Sequence, residues 1–241
     1  MQAMIFAAGL GTRFKPWTDK HPKALALVNG KSLLQRNIEY LQQYGIKDVM
    51  VNVHHFADQI EEAIAKNNGW GSNITISDER DFLLDTGGGL LKAKPFFAPG
   101  ERFITCNADI LTDLDINKLL AFHEGNAPLI SFGVSKRKTS RNFLFDGNGQ
   151  LCGWRNDNTG EEKISRHNKH LVSKAYSCVV VFEYAVFRLM EQAGFLGKFS
   201  LTDVYLELAK QHTILGYDHT GDRWADVGKT ESVAIAESLF L

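Results

Sequence analysis

In the stretch from Phe6 to Lys23, Gly9 and Gly11 precede the basic side chains of Arg13, Lys15 and Lys23. Glycine has no Cβ, so backbone N–H groups at Gly9 and Gly11 can approach an anion closely while the three cations supply charge. That combination suits a polyphosphate grip. An ordinary strand-to-helix turn carrying surface lysines would show the same glycines, because short glycine patterns recur by chance. Two named phosphate loops do not fit. The dinucleotide fingerprint wants a third glycine where this chain has Phe14, and the Walker loop wants Gly-Lys-Ser/Thr. Other chemistries have less footing. His54, His55, His167, His170, His212 and His219 show no metal-ligand spacing such as HExxH, so structural roles are expected for them. Ser177 and Cys178 lie in an apolar run without a Gly-x-Ser-x-Gly elbow or an evident base, which argues against nucleophilic catalysis by either.

The elements that must hold such a loop alternate between strand and helix, the pattern of a sheet covered by crossover helices. Residues 3–8 are apolar throughout and end at Gly9, which predicts a central strand buried on both faces. Ser32 reads as an N-cap for a helix carrying Leu33, Leu34, Ile38 and Leu41, with Gly45 as its stop. Strands are expected over 48–53, 74–77 and 103–106, the last leading into Asn107-Ala108-Asp109, and a helix over 57–66. Beyond about residue 135 the texture changes. Residues 143–145 and 151–154 predict a hairpin, with Asp146-Gly147-Asn148-Gly149 supplying the positive φ values of a tight turn. The polar stretch 156–174 reads as a surface excursion, and a buried strand resumes over 175–182. Helices near 184–193 and 201–210, a strand near 213–218, the segment 224–227 and a helix from about Thr230 complete the pattern. With no repeat, low-complexity tract or linker, the excursion is expected to be an insertion into one domain.

The glycine string as a whole resembles the signature of the sugar-1-phosphate nucleotidylyltransferases, Ala-Ala-Gly-x-Gly-Thr-Arg-x-x-Pro-x-Thr followed by Pro-Lys. Here it stands as Ala7-Ala8-Gly9-Leu10-Gly11-Thr12-Arg13, Pro16, Thr18 and Pro22-Lys23. The resemblance continues in order through Leu84-Asp85-Thr86-Gly87-Gly88-Gly89, Asn107-Ala108-Asp109 and Trp224-Ala225-Asp226-Val227-Gly228, nearly the full length. It implies a single-domain α/β fold of GT-A/Rossmann-like type: a mixed, mostly parallel sheet flanked by helices, with a small β-hairpin or insertion subregion. A nucleotide-binding part of about residues 1–135 and a sugar-phosphate-binding part of about 136–241 are expected. The implied partners are a nucleoside triphosphate and a sugar 1-phosphate, joined to give an NDP-sugar and pyrophosphate. In such a reaction a phosphate oxygen attacks the α-phosphorus in line, and the protein mainly positions two mutually repelling anions and neutralises developing charge.

The same resemblance assigns roles residue by residue. Arg13 matches the arginine that holds the triphosphate, and Lys23 the lysine between the α-phosphate and the attacking phosphate, so both are expected to be catalytic. Ala8, Gly9, Leu10, Gly11 and Thr12 match the rest of the nucleotide loop; Gly87 and Gly88 match a turn that approaches the base, with a helix start and flexible entry as the alternative, and Asn107 is grouped with them. Asp109 and Asp226 match two carboxylates that bind one Mg²⁺, a hard cation suited to bridging carboxylates and phosphates. Read singly, each would be a cap or turn residue. Glu162 and Lys163 resemble a pair that contacts the sugar phosphate in some relatives, although their spacing to the next strand differs; a solvated charge run is the alternative. Many relatives continue Asp-Val-Gly-Thr-Pro where this chain has Gly228-Lys229-Thr230.

Leu-x-Thr-Gly-Gly-Gly, Asn-Ala-Asp and a compact C-terminus without β-helix hexapeptide repeats are most similar to the branch that transfers UMP to N-acetylmuramate 1-phosphate in cell-wall recycling. Transfer of GMP to a mannose- or heptose-type phosphate, or of CMP to phosphocholine, is the first alternative, because base choice rests on a few hydrogen bonds. A non-catalytic binding member of the fold is the second, opposed by the joint presence of Arg13, Lys23, Asp109 and Asp226. An NAD-binding enzyme is the third, opposed by Phe14 and the downstream basic residues.

Composition limits the rest. The 241 residues are 44% hydrophobic, enough for a substantial core, and 27 Lys+Arg against 28 Asp+Glu leave a net charge of −1. No overall field draws the chain to nucleic acid or an anionic membrane, so neither partner is expected. The charge is uneven: residues 1–31 hold five basic side chains and one acid, a local +4 against −5 for the remainder. Three scattered cysteines fit a reducing, cytoplasmic setting, and neither a signal peptide nor an 18-residue apolar run is visible. Phe195 and Leu196 suit either an oligomer interface or helix packing, which leaves the oligomeric state open.

Overall fold

The computed structural model describes residues 1–240. In chain order the elements are β1 (Gln2–Phe6), β2 (Leu27–Val28), β3 (Lys31–Ser32), α1 (Leu33–Gln42), β4 (Asp48–Val53), α2 (Ala57–Lys66), β5 (Asn73–Asp78) and α3 (Asp85–Lys92). There follow β6 (Phe103–Asn107), β7 (Ile110–Thr112), α4 (Ile116–Asn126), β8 (Ile130–Ser135), β9 (Arg141–Phe145), β10 (Leu151–Asn156), β11 (Glu161–Ile164) and β12 (Val172–Phe182). The chain ends through α5 (Val186–Gln192), α6 (Leu201–Ala209), β13 (Ile214–Asp218), β14 (Trp224–Asp226) and α7 (Glu231–Leu239).

One mixed sheet runs β11-β10-β9-β12-β6-β1-β4-β5, with β8 and β13 branching from β12. The parallel part expected from the alternating pattern is β6-β1-β4-β5, in which Met4 lies between Met50 and Thr105. Antiparallel pairing begins at β12, against β6, β8 and β9. Successive strand side chains point to opposite faces, and β1 shows it. Ala3 and Ile5 join Leu34, Ile38 and Ile60 under α1 and α2, whereas Met4 and Phe6 join Leu90, Phe103, Phe182 and Tyr205 on the other face. Each large side chain fully buried this way contributes roughly 1.5–3 kcal/mol. The Ser32 cap forms as its sequence predicts, Oγ accepting from Gln35 N at 3.1 Å.

The structure departs from expectation in three places. The stretch 156–174 extends the sheet, since β11 pairs with β10 and β12 already begins at Val172, pairing with β9. All four β11 residues are exposed, so no apolar alternation announces this edge strand. In the 146–149 turn only Gly149 adopts a positive φ, at 78°, while the Asp146 carboxylate accepts the N–H groups of Asn148 and Gln150. The expected Thr86–Gly89 turn is helical: α3 starts at Asp85 and contains all three glycines. Phe195 packs on the core and Leu196 is exposed. Among the described residues no helix is long and apolar enough to cross a membrane.

Candidate active site

β1 delivers the chain to Ala7 and Ala8, whose N–H groups both donate to Asn52 Oδ1, at 2.7 and 3.3 Å. Asn52 lies within the buried run of β4 and passes the contact on, its Nδ2 donating to Glu79 Oε1 at 2.8 Å. Glu79 Oε2 in turn accepts the N–H of Leu84, just before α3, at 3.0 Å. Both side chains are only 2% exposed. A buried polar group is expensive unless satisfied, and this pair is satisfied by backbone at both ends. The glycine loop and the entrance to α3 are thereby fixed to one another. Sequence reading passed over Asn52 and Glu79; the one available signal was an amide inside the apolar run Val49–Val53.

Gly11 has φ +61°, and a Cβ there would stand 2.8 Å from Thr18 Cγ2 and 3.1 Å from Lys23 Cβ. The loop therefore folds tightly against the segment that carries Lys23, and Thr18 Oγ1 donates to Gly11 O at 2.9 Å. Ala8, Gly9, Leu10, Gly11, Thr12, Arg13 and Lys23 line a cavity of about 400 Å³. Asn52, Leu83, Asp85, Thr86, Lys198 and Gly228 also line it. Gly87 and Gly88, expected at this site, are not among its lining. Their N–H groups donate to Phe199 O, and a Cβ would lie 2.4 Å from the Phe199 ring at Gly87 and 2.1 Å from Gly197 O at Gly88. These glycines make room for the 197–199 loop, and Asp85 and Thr86 present the helix entrance to the cavity in their place.

A second cavity of about 500 Å³ holds Asn107, Asp109, Asp226, Arg137, Lys138 and Arg141 over Phe143, Trp154, Tyr176 and Trp224. Arg13 lines both cavities. Asp109 follows β6, and Asp226 arrives on β14, which pairs antiparallel with β7 so that Asp226 stands opposite Ile110. Val227 N donates to Asp109 O at 2.8 Å, locking the two aspartate segments together. A Cβ at Gly228 would meet Asp226 Oδ1 at 2.6 Å and Arg13 Nη2 at 2.8 Å, so only glycine lets those charges close up here. Lys229 and Thr230 continue through turns that lead into α7, Ser232 N to Lys229 O and Val233 N to Thr230 O, leaving the Asp226 position intact.

Lys23 Nζ forms an ion pair with Asp109 Oδ2. Burial, then the neighbouring Asp109 carboxylate, push the Asp226 carboxyl above its ordinary value, against the pull of Arg13 and Lys23. Asp226 Oδ1 is buried without a hydrogen-bond partner. An orphaned, crowded carboxylate oxygen beside a second carboxylate suits a divalent cation. Among the described residues no group of three or more His, Cys, Asp or Glu side chains gathers.

Glu162 and Lys163 part company. On β11, Lys163 pairs with Trp154 and so shares the face of the second cavity, its Nζ 5.9 Å from the indole centroid. Glu162 pairs with Arg155 on the opposite face, 3.6 Å away. Adjacent residues of one strand cannot serve one site together. Cys106 is buried and Cys178 half-buried, and desolvation pushes the Cys106 thiol up to about 12 and the Cys178 thiol well above its ordinary value, so neither supplies a thiolate nucleophile. Ser177, which lacked an evident base in sequence, does meet one: His219 Nε2 lies 2.6 Å from its Oγ. Ser177 is 0% exposed, so this contact is structural in reach.

Residues 2–144 match the nucleotidyl transferase family model, more than half of the chain. The chain belongs to the nucleotidyl transferase family. This nucleotidyltransferase is 40% identical over 239 residues, 99% of its length and 98% of the relative's, to an N-acetylmuramate alpha-1-phosphate uridylyltransferase of Neisseria meningitidis serogroup B. It is 36% identical over 119 residues, 49% of its length and 52% of the relative's, to a D-glycero-alpha-D-manno-heptose 1-phosphate guanylyltransferase of Campylobacter jejuni. Its fold superposes on UDP-glucose pyrophosphorylase from Acinetobacter baumanii with a TM-score of 0.78 at 15% identity, covering 98% of this chain and 91% of the other. It is a sugar-1-phosphate nucleotidylyltransferase.

Proposed function

We propose that this enzyme transfers UMP from UTP to N-acetylmuramate 1-phosphate with Mg²⁺ as cofactor, releasing pyrophosphate. The full-length identity to a uridylyltransferase supports the substrate pair. The observation that carries the reaction type is the meeting of two cavities at Arg13, with Lys23, Asp109 and Asp226 at the junction. The cavity under the glycine loop takes the nucleotide: backbone N–H groups of residues 9–12 and the Arg13 guanidinium face the triphosphate, and the Asp85–Thr86 helix entrance faces the base. The cavity beneath Asp226 takes the acceptor. This assignment divides residues by cavity and crosses the 135/136 boundary, since Lys198 and Gly228 line the first and Arg13 and Asp109 the second.

In the reaction an oxygen of the acceptor phosphate forms a bond to the α-phosphorus, and the bond from that phosphorus to the bridging oxygen breaks. Its electron pair leaves on pyrophosphate. No protein nucleophile or general base is required, because the attacking phosphate oxygen is already ionised. Arg13 offsets charge on the triphosphate, and Lys23, released from Asp109, offsets charge where the two phosphates meet. Asp109 and Asp226 would hold Mg²⁺, which when bound neutralises phosphate charge as a Lewis acid.

A pyrophosphate-release screen tests the proposal, with UTP, dTTP, GTP, CTP and ATP against N-acetylmuramate, glucose, mannose and heptose 1-phosphates and phosphocholine. UTP with N-acetylmuramate 1-phosphate should give the highest kcat/KM. Preference for GTP with a heptose or mannose 1-phosphate overturns the substrate assignment, and no release with any pair overturns the reaction.

A further inference from the structure

Behind the second cavity stands a hydrogen-bonded series that the proposed reaction does not use. Arg137, just after β8, extends its guanidinium over Trp224, 3.5 Å from the ring centroid. Nη1 donates to Ser135 Oγ at 3.0 Å and Ser177 Oγ at 3.1 Å, and Nη2 donates to Tyr176 O. Ser177 also accepts the Trp224 indole N–H through its backbone oxygen, at 3.2 Å. Cation and ring are therefore tied to the same residue. Because Ser177 Oγ accepts from Arg137, its own proton is free to go to His219 Nε2, 2.6 Å away. That leaves the His219 proton on Nδ1, which has no hydrogen-bond partner although Asp222 Oδ2 lies 3.4 Å off. Ser177 and His219 are 0% and 5% exposed. Donation thus runs one way, from the guanidinium to Ser177 and from Ser177 to His219.

Every protein atom that Arg137 bonds is a neutral oxygen. Among the described residues it forms no ion pair, unlike Lys23, whose charge Asp109 meets. Four cations, Arg13, Arg137, Lys138 and Arg141, line this cavity against two carboxylates. A half-buried guanidinium kept without a counter-charge carries a desolvation penalty that an incoming anion relieves. Burial accordingly holds its pKa down, at about 10. We propose that Arg137 receives an anionic group of the acceptor, and that Ser177 and His219 are positioning residues that aim the guanidinium. The inference rests on the second cavity being the acceptor side. The anion is a phosphate or a carboxylate, and the experiment separates the two.

Calorimetric titration of the whole enzyme with sugar 1-phosphates, with and without a carboxylate on the sugar, is the primary measurement; KM for acceptor and for UTP is the second. Arg137→Gln should weaken acceptor binding on the order of 10-fold or more while UTP binding stays within about twofold. Retained UTP binding also certifies the fold. Equal losses for both sugars place the phosphate on Arg137, and a loss confined to the acidic sugar places the carboxylate there. His219→Phe should raise acceptor KM several-fold with kcat little changed, and His219→Gln should restore it, because a glutamine carbonyl can accept the Ser177 hydroxyl. Unchanged acceptor binding in Arg137→Gln, or a loss on the UTP side instead, overturns the proposal. His219→Gln behaving like His219→Phe overturns the positioning role. Wild-type enzyme that binds sugar phosphates through Arg137 yet turns over no pair leaves this inference standing and defeats the transferase reading.

Discussion

The two cavities meet at one arginine yet are assembled differently. The first is built around one run: Ala8 to Arg13 supplies six of its lining residues, leaving a parallel strand and pinned by Asn52 and Glu79. The second gathers residues from β9, β10, β12 and β14 and from the connections that follow β6 and β8. A wall built around one run depends on local conformation, so one short segment can specify it. A wall gathered from several strands depends on which strands become neighbours, and antiparallel additions to the sheet decide that here. Under the proposed assignment the first cavity takes the triphosphate common to all donors and the second takes the acceptor, which varies.

Substitutions can break this contrast or sharpen it. The largest effect is expected at the junction, where both cavities depend on the same groups: Asp226→Ala or Asp109→Ala should reduce pyrophosphate release on the order of 10³-fold or more, with an unchanged circular dichroism spectrum. Wild-type-like turnover in either would remove the carboxylates from the chemistry. Lys23→Ala comes next, with kcat lowered at least ~10²-fold. A change limited to KM would make Lys23 a ground-state binder. Asn52→Ala isolates the loop-built cavity: losing two buried hydrogen bonds to the loop should raise the KM for nucleotide about 10-fold and leave that for acceptor unchanged. Equal changes in both constants would dissolve the distinction between the cavities.

The smallest effect belongs to the antiparallel side. Burial opposes ionisation of Asp218, but hydrogen bonds from Lys174 and Thr220 outweigh it and hold the carboxyl at about 2. Since that lies below its ordinary value of 3.8, the stabilisation is complete above the ordinary value and is lost as pH falls toward 2. Thermal melting between about pH 5 and 2 should show a steeper loss in the wild type than in Lys174→Met. Parallel slopes would mean the pair contributes nothing to holding β12 against β13.

Legibility in the sequence follows the same division. The buried strand before Gly9, the Ser32 cap and the loop with Arg13 and Lys23 are local patterns, and all appear where their residues predict. Asp109 and Asp226 required the resemblance, because 117 positions separate them and only the β7–β14 pairing brings them together. Arg137, Ser177 and His219 gave no signal: each looks like a core or surface residue until β8, β12 and the segment after β13 converge. Glu162 and Lys163 were adjacent in the chain, and strand alternation separated them. Gly87 and Gly88 signalled close approach correctly, but the approaching group is the 197–199 loop.

β12 belongs to both halves. Its last residues, Val179–Phe182, ladder with β6; its first, Val172–Lys174, ladder with β9; and between them a bulge turns the strand at Cys178, φ +62°. It works as a mechanical beam with one elbow. Main-chain rungs at each end of that beam fix where Tyr176 and Cys178 stand in the second cavity, so neighbouring side chains there can be exchanged without moving that wall.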